Sequence, residues 1–271
     1  MSGPDTVLYQ PHGRVAHLVL NRPDNLNALS PQVQKDLNAV LDRLEADESV
    51  RVGVLRGAGR AFCVGFDLSK GGAGFRPQRI TPWGDRERLR GWTKLFERIW
   101  DCPKPIIAQV HGFCIAGGNM LPLVADITLI AEDCVVGWPK LPMGGGFVAP
   151  LFARAVGPQR AKLMEFSAGS TITGRRATEW GFAAECHPAD TLADAASTLA
   201  QHIAKMPHEL LHLKKASVNR VFDHAGFRET LAAATEWDTL AHEDHDVATV
   251  RGWVRDLGMK EAIAKFDREG L

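Results

Sequence analysis

The chain has 271 residues, 45% of them apolar and 24% charged, with Lys plus Arg and Asp plus Glu equal at 32 each. That length suits one or two domains with a sizeable core, and the balanced charge excludes a global field favouring nucleic acid or an anionic membrane, so an anionic ligand has to be held by local features. Five scattered cysteines (Cys63, Cys102, Cys114, Cys134, Cys186) form no CxxC pair or Cys/His cluster, which argues for reduced cytoplasmic thiols; the opening MSGPDTVLYQ is no secretory signal, and no apolar run reaches the roughly 20 residues that span a bilayer.

Val15 to Leu20 reads as a strand, broken by Arg22-Pro23. Ser30-Pro31 opens a helix with serine as N-cap and proline at the first helical position. Val33, Leu37, Val40, Leu41 and Leu44 supply its apolar stripe. A strand over Val52 to Leu55 follows, so the unit implies a crossover connection. Residues 70–85 (KGGAGFRPQRITPWGD) lack periodicity and predict a mobile loop, with a helix resuming over Arg86–Trp100. Pro103 and Pro105 stop that helix before a strand at Ile106–Val110. Glycines 112, 117 and 118 lead into a short apolar helix, and Ile127–Ala131 is a further strand. Beyond about residue 190 the pattern turns helical, over Leu192–Lys205, Glu209–Phe222, Phe227–His242 and Val250–Phe266, with no repeat period.

Two glycine-bearing turns carry the chemistry: Ala61-Phe62-Cys63-Val64-Gly65-Phe66-Asp67-Leu68, and His111-Gly112-Phe113-Cys114-Ile115-Ala116-Gly117-Gly118-Asn119. Each follows a predicted strand, and the second precedes a helix. Such turns point backbone N–H groups outward, and a helix N-terminus adds partial positive charge. Two N–H groups converging on one carbonyl oxygen stabilise an enolate or a tetrahedral oxyanion. Either turn alone reads more readily as an ordinary tight turn. Neither is a GxGxxG dinucleotide fingerprint or a Walker lysine loop, so nucleotide-dependent redox and phosphoryl transfer have little support.

Taken in order, the segments resemble the crotonase (enoyl-CoA hydratase/isomerase) superfamily over most of the chain. The resemblance runs through Asn21-Arg22-Pro23, Leu26-Asn27-Ala28-Leu29, Arg51–Leu55, Gly57–Cys63, Gly65–Leu68, Pro103–Ile106, His111-Gly112 to Gly117-Gly118, Asp126, Pro139, Ala155-Val156-Gly157 and Thr173–Ala177. It implies an α/β crotonase fold: a repeated ββα core with an acyl-CoA cleft over residues 1–195, and a helical trimerisation region over 196–271. The expected assembly is a homotrimer or a dimer of trimers. By the same resemblance the oxyanion amides belong to Phe66 and Gly117. Asp24, Asn25, Leu26, Ala61, Cys63, Val64, Gly65, Asp67, Leu68 and Gly118 would line the coenzyme A and pantetheine. Phe66 stands where the family more often has alanine, and its bulk would narrow the acyl pocket. Asp67 reads as a structural cap.

The resemblance also exposes a loss. Family hydratases use two glutamates, one three residues after the oxyanion glycine and one after a proline; here those positions are Met120 and Lys140. Methionine transfers no proton, and lysine does not simply replace a carboxylate that orients water. General acid–base groups typically contribute about 10²–10⁴ each in rate, so ordinary hydration should be nearly abolished. Met120 reads as an apolar wall for the acyl chain, and Lys140 as a solvated lysine at the pocket edge, with a desolvated base as the alternative. No acid appears between Lys140 and Arg154, in a segment (Leu141–Phe147) shorter than in hydratases. Pro122 is expected to distort the short helix. Asp85 and Glu87 lie beside the 70–85 loop, a candidate lid. His111 reads as structural, Glu165 as facing away from the chemistry, and His242-Glu243-Asp244-His245 as a polar helix end.

Two functions of different class follow. One is an enzyme acting on an acyl-CoA through an enolate; the other is a non-catalytic acyl-CoA binder or carrier. The expected ligand is a coenzyme A thioester, with no separate cofactor, metal, nucleic acid or membrane, in the cytoplasm.

Overall fold

The computed structural model describes residues 5–69 and 80–271, so residues 70–79 of the mobile loop expected over 70–85 lie outside the described residues, while 82–85 are already helical. Strand β1 (Val7–His12) turns back at Gly13 and pairs antiparallel with β2 (Val15–Leu20), Val7 opposite Leu20. From β2 the chain crosses over through α1 (Pro31–Ala46) to the parallel strand β3 (Val52–Gly57). Ser30 Oγ accepts the Val33 amide at 3.2 Å, and the five apolar residues of the expected stripe are buried against the sheet. Lys104 is buried and donates to the carbonyls of Leu44 and Asp47 at 2.6 Å each, closing the C-terminal end of α1.

Helix α2 (Pro82–Asp101) leads to β4 (Ile106–Val110), parallel to β3. It begins four residues before the expected Arg86, because Thr81 Oγ1 caps the Gly84 amide at 3.1 Å and Pro82 fits the first turn. After β5 (Phe113–Ile115), a 3-10 turn over Ala116–Asn119 runs into the five-residue α3 (Met120–Val124). The strand β6 (Ile127–Ala131) pairs with β4, and β7 (Val135–Gly137) pairs with β5. Helices α4 (Ala149–Val156) and α5 (Pro158–Glu165) precede β8 (Thr171–Thr173), α6 (Gly174–Trp180) and β9 (Glu185–His187). The result is a six-stranded sheet ordered β1-β2-β3-β4-β6-β9 beside a three-stranded sheet β5-β7-β8.

The C-terminal helices are α7 (Leu192–Ile203), α8 (His208–His224), α9 (Phe227–His242), α10 (His245–Leu257) and α11 (Met259–Glu269). The single helix expected over Val250–Phe266 is two, broken where Gly258 takes φ +82°. Helix α7 packs on the sheet, while α9 packs on α2 and α4. A buried ion pair ties α8 down: Lys215 Nζ donates to Asp126 Oδ2 at 2.8 Å, and the same oxygen accepts the Ile106 amide at 2.7 Å. No helix among the described residues is long and apolar enough to cross a membrane.

Candidate active site

Hydrogen bonds on both flanks fix the first glycine turn. The Cys63 amide donates to Phe113 O at 3.1 Å, and the Ile115 amide donates to Cys63 O at 3.0 Å. On the other side the Leu29 amide donates to Gly65 O at 2.7 Å, and the Asp67 amide to Leu29 O at 2.9 Å. Between these bonds the Phe66 amide has no backbone acceptor among the described residues. The Gly117 amide lies in the first turn of the 3-10 segment after the N-cap Ile115, ahead of its first internal bond.

These turns touch closely enough to demand glycine. Gly65 has φ +93°, and a Cβ there would sit 3.0 Å from the Gly117 nitrogen; a Cβ on Gly117 would meet the Phe66 ring at 2.9 Å. Among the described residues, the non-glycine residues with positive φ are Leu26 (50°), Asn27 (56°) and Ala116 (49°), all in or beside these turns. Concentration of left-handed backbone at one place is typical of a functional site. Asn27 is buried and holds its turn by donating to Ala58 O at 2.9 Å and Ala61 O at 2.7 Å.

Both turns open on a cavity of about 380 Å³. Val64, Phe66, Leu68 and Gly117 line it. The Phe66 ring makes edge contacts with Trp92 (5.2 Å between centroids) and Phe147 (5.5 Å), so it forms one wall of the pocket. The other expected binding residues take different places. Asp24 and Asn25 are exposed on a 3-10 turn, and Leu26 O accepts the Val64 amide at 3.3 Å. Ala61, Cys63, Gly65 and Gly118 are buried, and Cys63 has its thiol pushed up to about 12 by burial. Asp67 pairs with Arg22 at 2.8 Å and accepts the Ser69 amide at 2.9 Å; burial opposes its ionisation, yet these partners hold it below the usual carboxylate range. A second cavity, of about 640 Å³, lies at Trp100, Leu123, Lys215 and Phe222 and is lined by neither Phe66 nor Gly117.

Neither position of the missing glutamates faces the 380 Å³ cavity. Met120 is fully buried in the main core, which corrects its expected role as a wall for the acyl chain: its place at the start of α3 turns it into the packing beneath the turn. Lys140 is exposed, because the Trp138 amide bonds to Ser170 O at 3.0 Å and the Gly169 amide to Pro139 O at 2.9 Å; Pro139 lines the cavity while Lys140 points out. His111 Nε2 bonds to Gly59 O at 2.9 Å, a structural contact between neighbouring turns.

Acidic and basic groups reach the cavity from elsewhere. Glu165, expected to face away, lines it from the end of α5. Its carboxyl is pushed up to about 7 by burial, with the Trp138 indole opposing and the Asp238 charge adding to the rise. The buried Oε1 of Glu165 has no hydrogen-bond partner among the described residues. His242 also lines the cavity and is buried where α9 packs against α2, so it departs from the polar helix end expected over His242–His245, whose Glu243, Asp244 and His245 are exposed. His242 Nδ1 lies 2.6 Å from Asp85 Oδ2, and Nε2 lies 3.7 Å from Asp238 Oδ2. Arg88 pairs with Asp85 at 2.8 Å. Burial opposes ionisation of Asp85, but His242 and Arg88 outweigh it and hold the carboxyl at about 2. Asp238 is raised by burial, against the pull of His242, the Gly145 amide and nearby arginines. That amide donates to Asp238 Oδ1 at 2.7 Å, clamping the Leu141–Phe147 segment on α9.

Residues 11–254 match the enoyl-CoA hydratase/isomerase family. The chain is 32% identical over 263 residues to the 1,2-epoxyphenylacetyl-CoA isomerase of Escherichia coli (strain K12), covering 93% of this chain and 91% of that relative. It is 32% identical over 223 residues to the hydroxycinnamoyl-CoA hydratase-lyase of Pseudomonas fluorescens, covering 79% and 78%. An enoyl-CoA hydratase/isomerase structure from Xanthobacter autotrophicus Py2 is similar with a TM-score of 0.90 at 34% identity, over 97% of each chain. An enoyl-CoA hydratase structure from Mycobacterium smegmatis follows at 0.88 and 30% identity, over 97% of this chain and 93% of that one.

Proposed function

The chain belongs to the enoyl-CoA hydratase/isomerase family of the crotonase superfamily, and we propose that it is an enzyme that stabilises the enolate of an acyl-CoA thioester between the amides of Phe66 and Gly117. The observation that supports this reading is a pair of turns that line one cavity and pack so closely that a Cβ on Gly65 would lie 3.0 Å from the Gly117 nitrogen. Donors fixed in advance at a developing oxyanion are worth about 2.7–4 kcal/mol each when removed singly. The coenzyme A part would run along Asp24, Asn25 and Leu26 to the Ala61–Leu68 turn and Gly118. The acyl group would enter the cavity beside Phe66. Enolate chemistry such as isomerisation, decarboxylation or thioester hydrolysis fits this site better than hydration, since Met120 and Lys140 supply no carboxylate. Two relatives are named for an isomerase and a hydratase-lyase acting on CoA esters, which supports the ligand class.

The reading extends to a cytoplasmic trimer or dimer of trimers. Exposed Leu213, Val221, Trp237 and Leu240 on α8 and α9 offer apolar surface for such contacts. The second reading, a non-catalytic acyl-CoA carrier, is favoured by the burial of Met120 and the exposure of Lys140. Calorimetric titration with short- and long-chain acyl-CoAs, paired with turnover assays on the same esters, separates the two. Binding with turnover supports the enzyme, and tight binding without turnover of any ester supports the carrier. Absence of binding at high micromolar concentration removes both.

A further inference from the structure

Glu165 is a half-buried acid that the family pattern leaves without a task. It sits on the wall of the cavity shared with Phe66 and Gly117, next to the turn that carries Pro139 and turns Lys140 outward. One carboxylate oxygen, Oε1, is buried with no hydrogen-bond partner among the described residues. A buried polar atom left unsatisfied is uncommon in a folded chain and calls for an explanation such as a ligand or a catalytic role. Glu165 has the Trp138 indole as a hydrogen-bond partner but no ion pair among the described residues, whereas Asp67, Asp85 and Asp126 are each engaged in ion pairs.

We propose that Glu165 is the catalytic proton-transfer residue of this cavity, taking over from a different element the work that Met120 and Lys140 cannot do. The proposal rests on the acyl-CoA reading above. In the ionised form the Glu165 carboxylate removes a proton from the α-carbon of the bound thioester. The C–H electron pair becomes the enolate C=C bond, and the negative charge moves to the thioester oxygen facing the Phe66 and Gly117 amides. The neutral carboxylic acid then returns the proton, to the α-carbon in exchange or to the γ-carbon when a double bond shifts. Atoms and electrons balance with no co-reactant.

Burial and the Asp238 charge set the titration of Glu165 near neutrality, with the Trp138 indole pulling the other way. A base matched to working pH is the most effective one. The other charged groups facing the cavity are Arg88 on α2, Asp238 and His242 on α9, and Arg251 on α10. Arg88 pairs with Asp85, His242 lies between Asp85 and Asp238, and Arg251 donates to Met143 O, while Glu165 keeps one buried oxygen without a partner among the described residues.

The test is α-proton exchange in D2O, followed by NMR, on the full-length protein with saturated and 3-enoyl CoA esters across pH 5.5–9, for wild type, Glu165→Gln and Glu165→Asp. Ester affinity is measured in parallel by calorimetry. The expected result is that Glu165→Gln binds the ester as wild type does but exchanges it about 10²–10⁴-fold more slowly, that its pH profile loses the ionisation near neutrality, and that Glu165→Asp recovers part of the rate. Unchanged exchange and pH profile in Glu165→Gln overturn the proposal while leaving the acyl-CoA reading standing. Wild type that binds these esters without exchange also overturns it, in favour of the carrier. Wild type that binds no CoA ester overturns the reading on which it rests.

Discussion

A Cβ placed on Gly65 would lie 3.0 Å from the backbone nitrogen of Gly117. Two turns that are 52 residues apart in sequence are thereby pressed into one surface. Only a residue without a side chain, able to hold φ +93°, permits it. Gly65→Ala is therefore expected to fold with some loss of stability and to displace one of the two amides. Turnover of any substrate ester should fall about 10²–10³-fold, the usual effect of losing one oxyanion donor. Steady-state rates alongside a thermal melt check it, since a folded protein with unaltered rates would separate the glycine from the chemistry.

Lys140 offers the opposite expectation. It is exposed while its neighbours Pro139 and Leu141 line the cavity. Lys140→Ala should leave ester turnover within about twofold of wild type and stability within about 0.5 kcal/mol, as is usual for surface positions. Measured kcat/KM and a urea midpoint settle the point, and a large loss of activity would restore Lys140 as a catalyst.

The pH dependence of stability has a definite sign at Glu165. Its carboxyl is raised from 4.5 to about 7 in the folded chain. Between those values the unfolded chain ionises while the folded one resists, so stability falls as pH rises and levels off above the folded value. Glu165→Gln removes the penalty. The variant should gain on the order of 2 kcal/mol relative to wild type at pH 8, allowing for partial solvent screening, and nothing at pH 4. Denaturation curves at the two pH values test this without any substrate.

Lys215 binds α8 to the sheet through Asp126, a carboxyl that burial raises while Lys215 pulls it down. Lys215→Ala leaves that buried carboxylate without its cation. Loss of one partner from a buried ion pair typically costs about 3–5 kcal/mol. Replacing both residues by apolar ones, as in Lys215→Met with Asp126→Leu, should cost less than the two single changes added together. A double-mutant cycle from urea denaturation measures the coupling, and additivity would show that the pair is not a tie.

How much of this was legible beforehand depends on the range of the interaction. The caps and stripe of α1 are local signals, and Ser30, Pro31 and the buried leucines behave as their spacing implies. Three-residue strands such as β5, β7 and β8 carry no periodicity of their own and exist only through their pairing. The same limit applies to the cavity. A search for acids near Lys140 finds none, because Glu165, Asp238 and His242 arrive by packing of α5 and α9 rather than by sequence proximity. One signal was present: the glycines at 144 to 146, whose lack of side chains lets Gly145 approach α9 and donate to Asp238. Met120 was misplaced for the same reason, since burial beneath the turn depends on the core around α3.

The central claim is that the Phe66 and Gly117 amides polarise a thioester carbonyl. Isotope-edited infrared difference spectroscopy of an acyl-CoA labelled with ¹³C at the thioester carbonyl reads this directly. The bound ester should show its carbonyl band shifted to lower frequency than in water, and the shift should shrink in Gly65→Ala. A bound ester whose carbonyl band stays at its solution frequency would contradict the account.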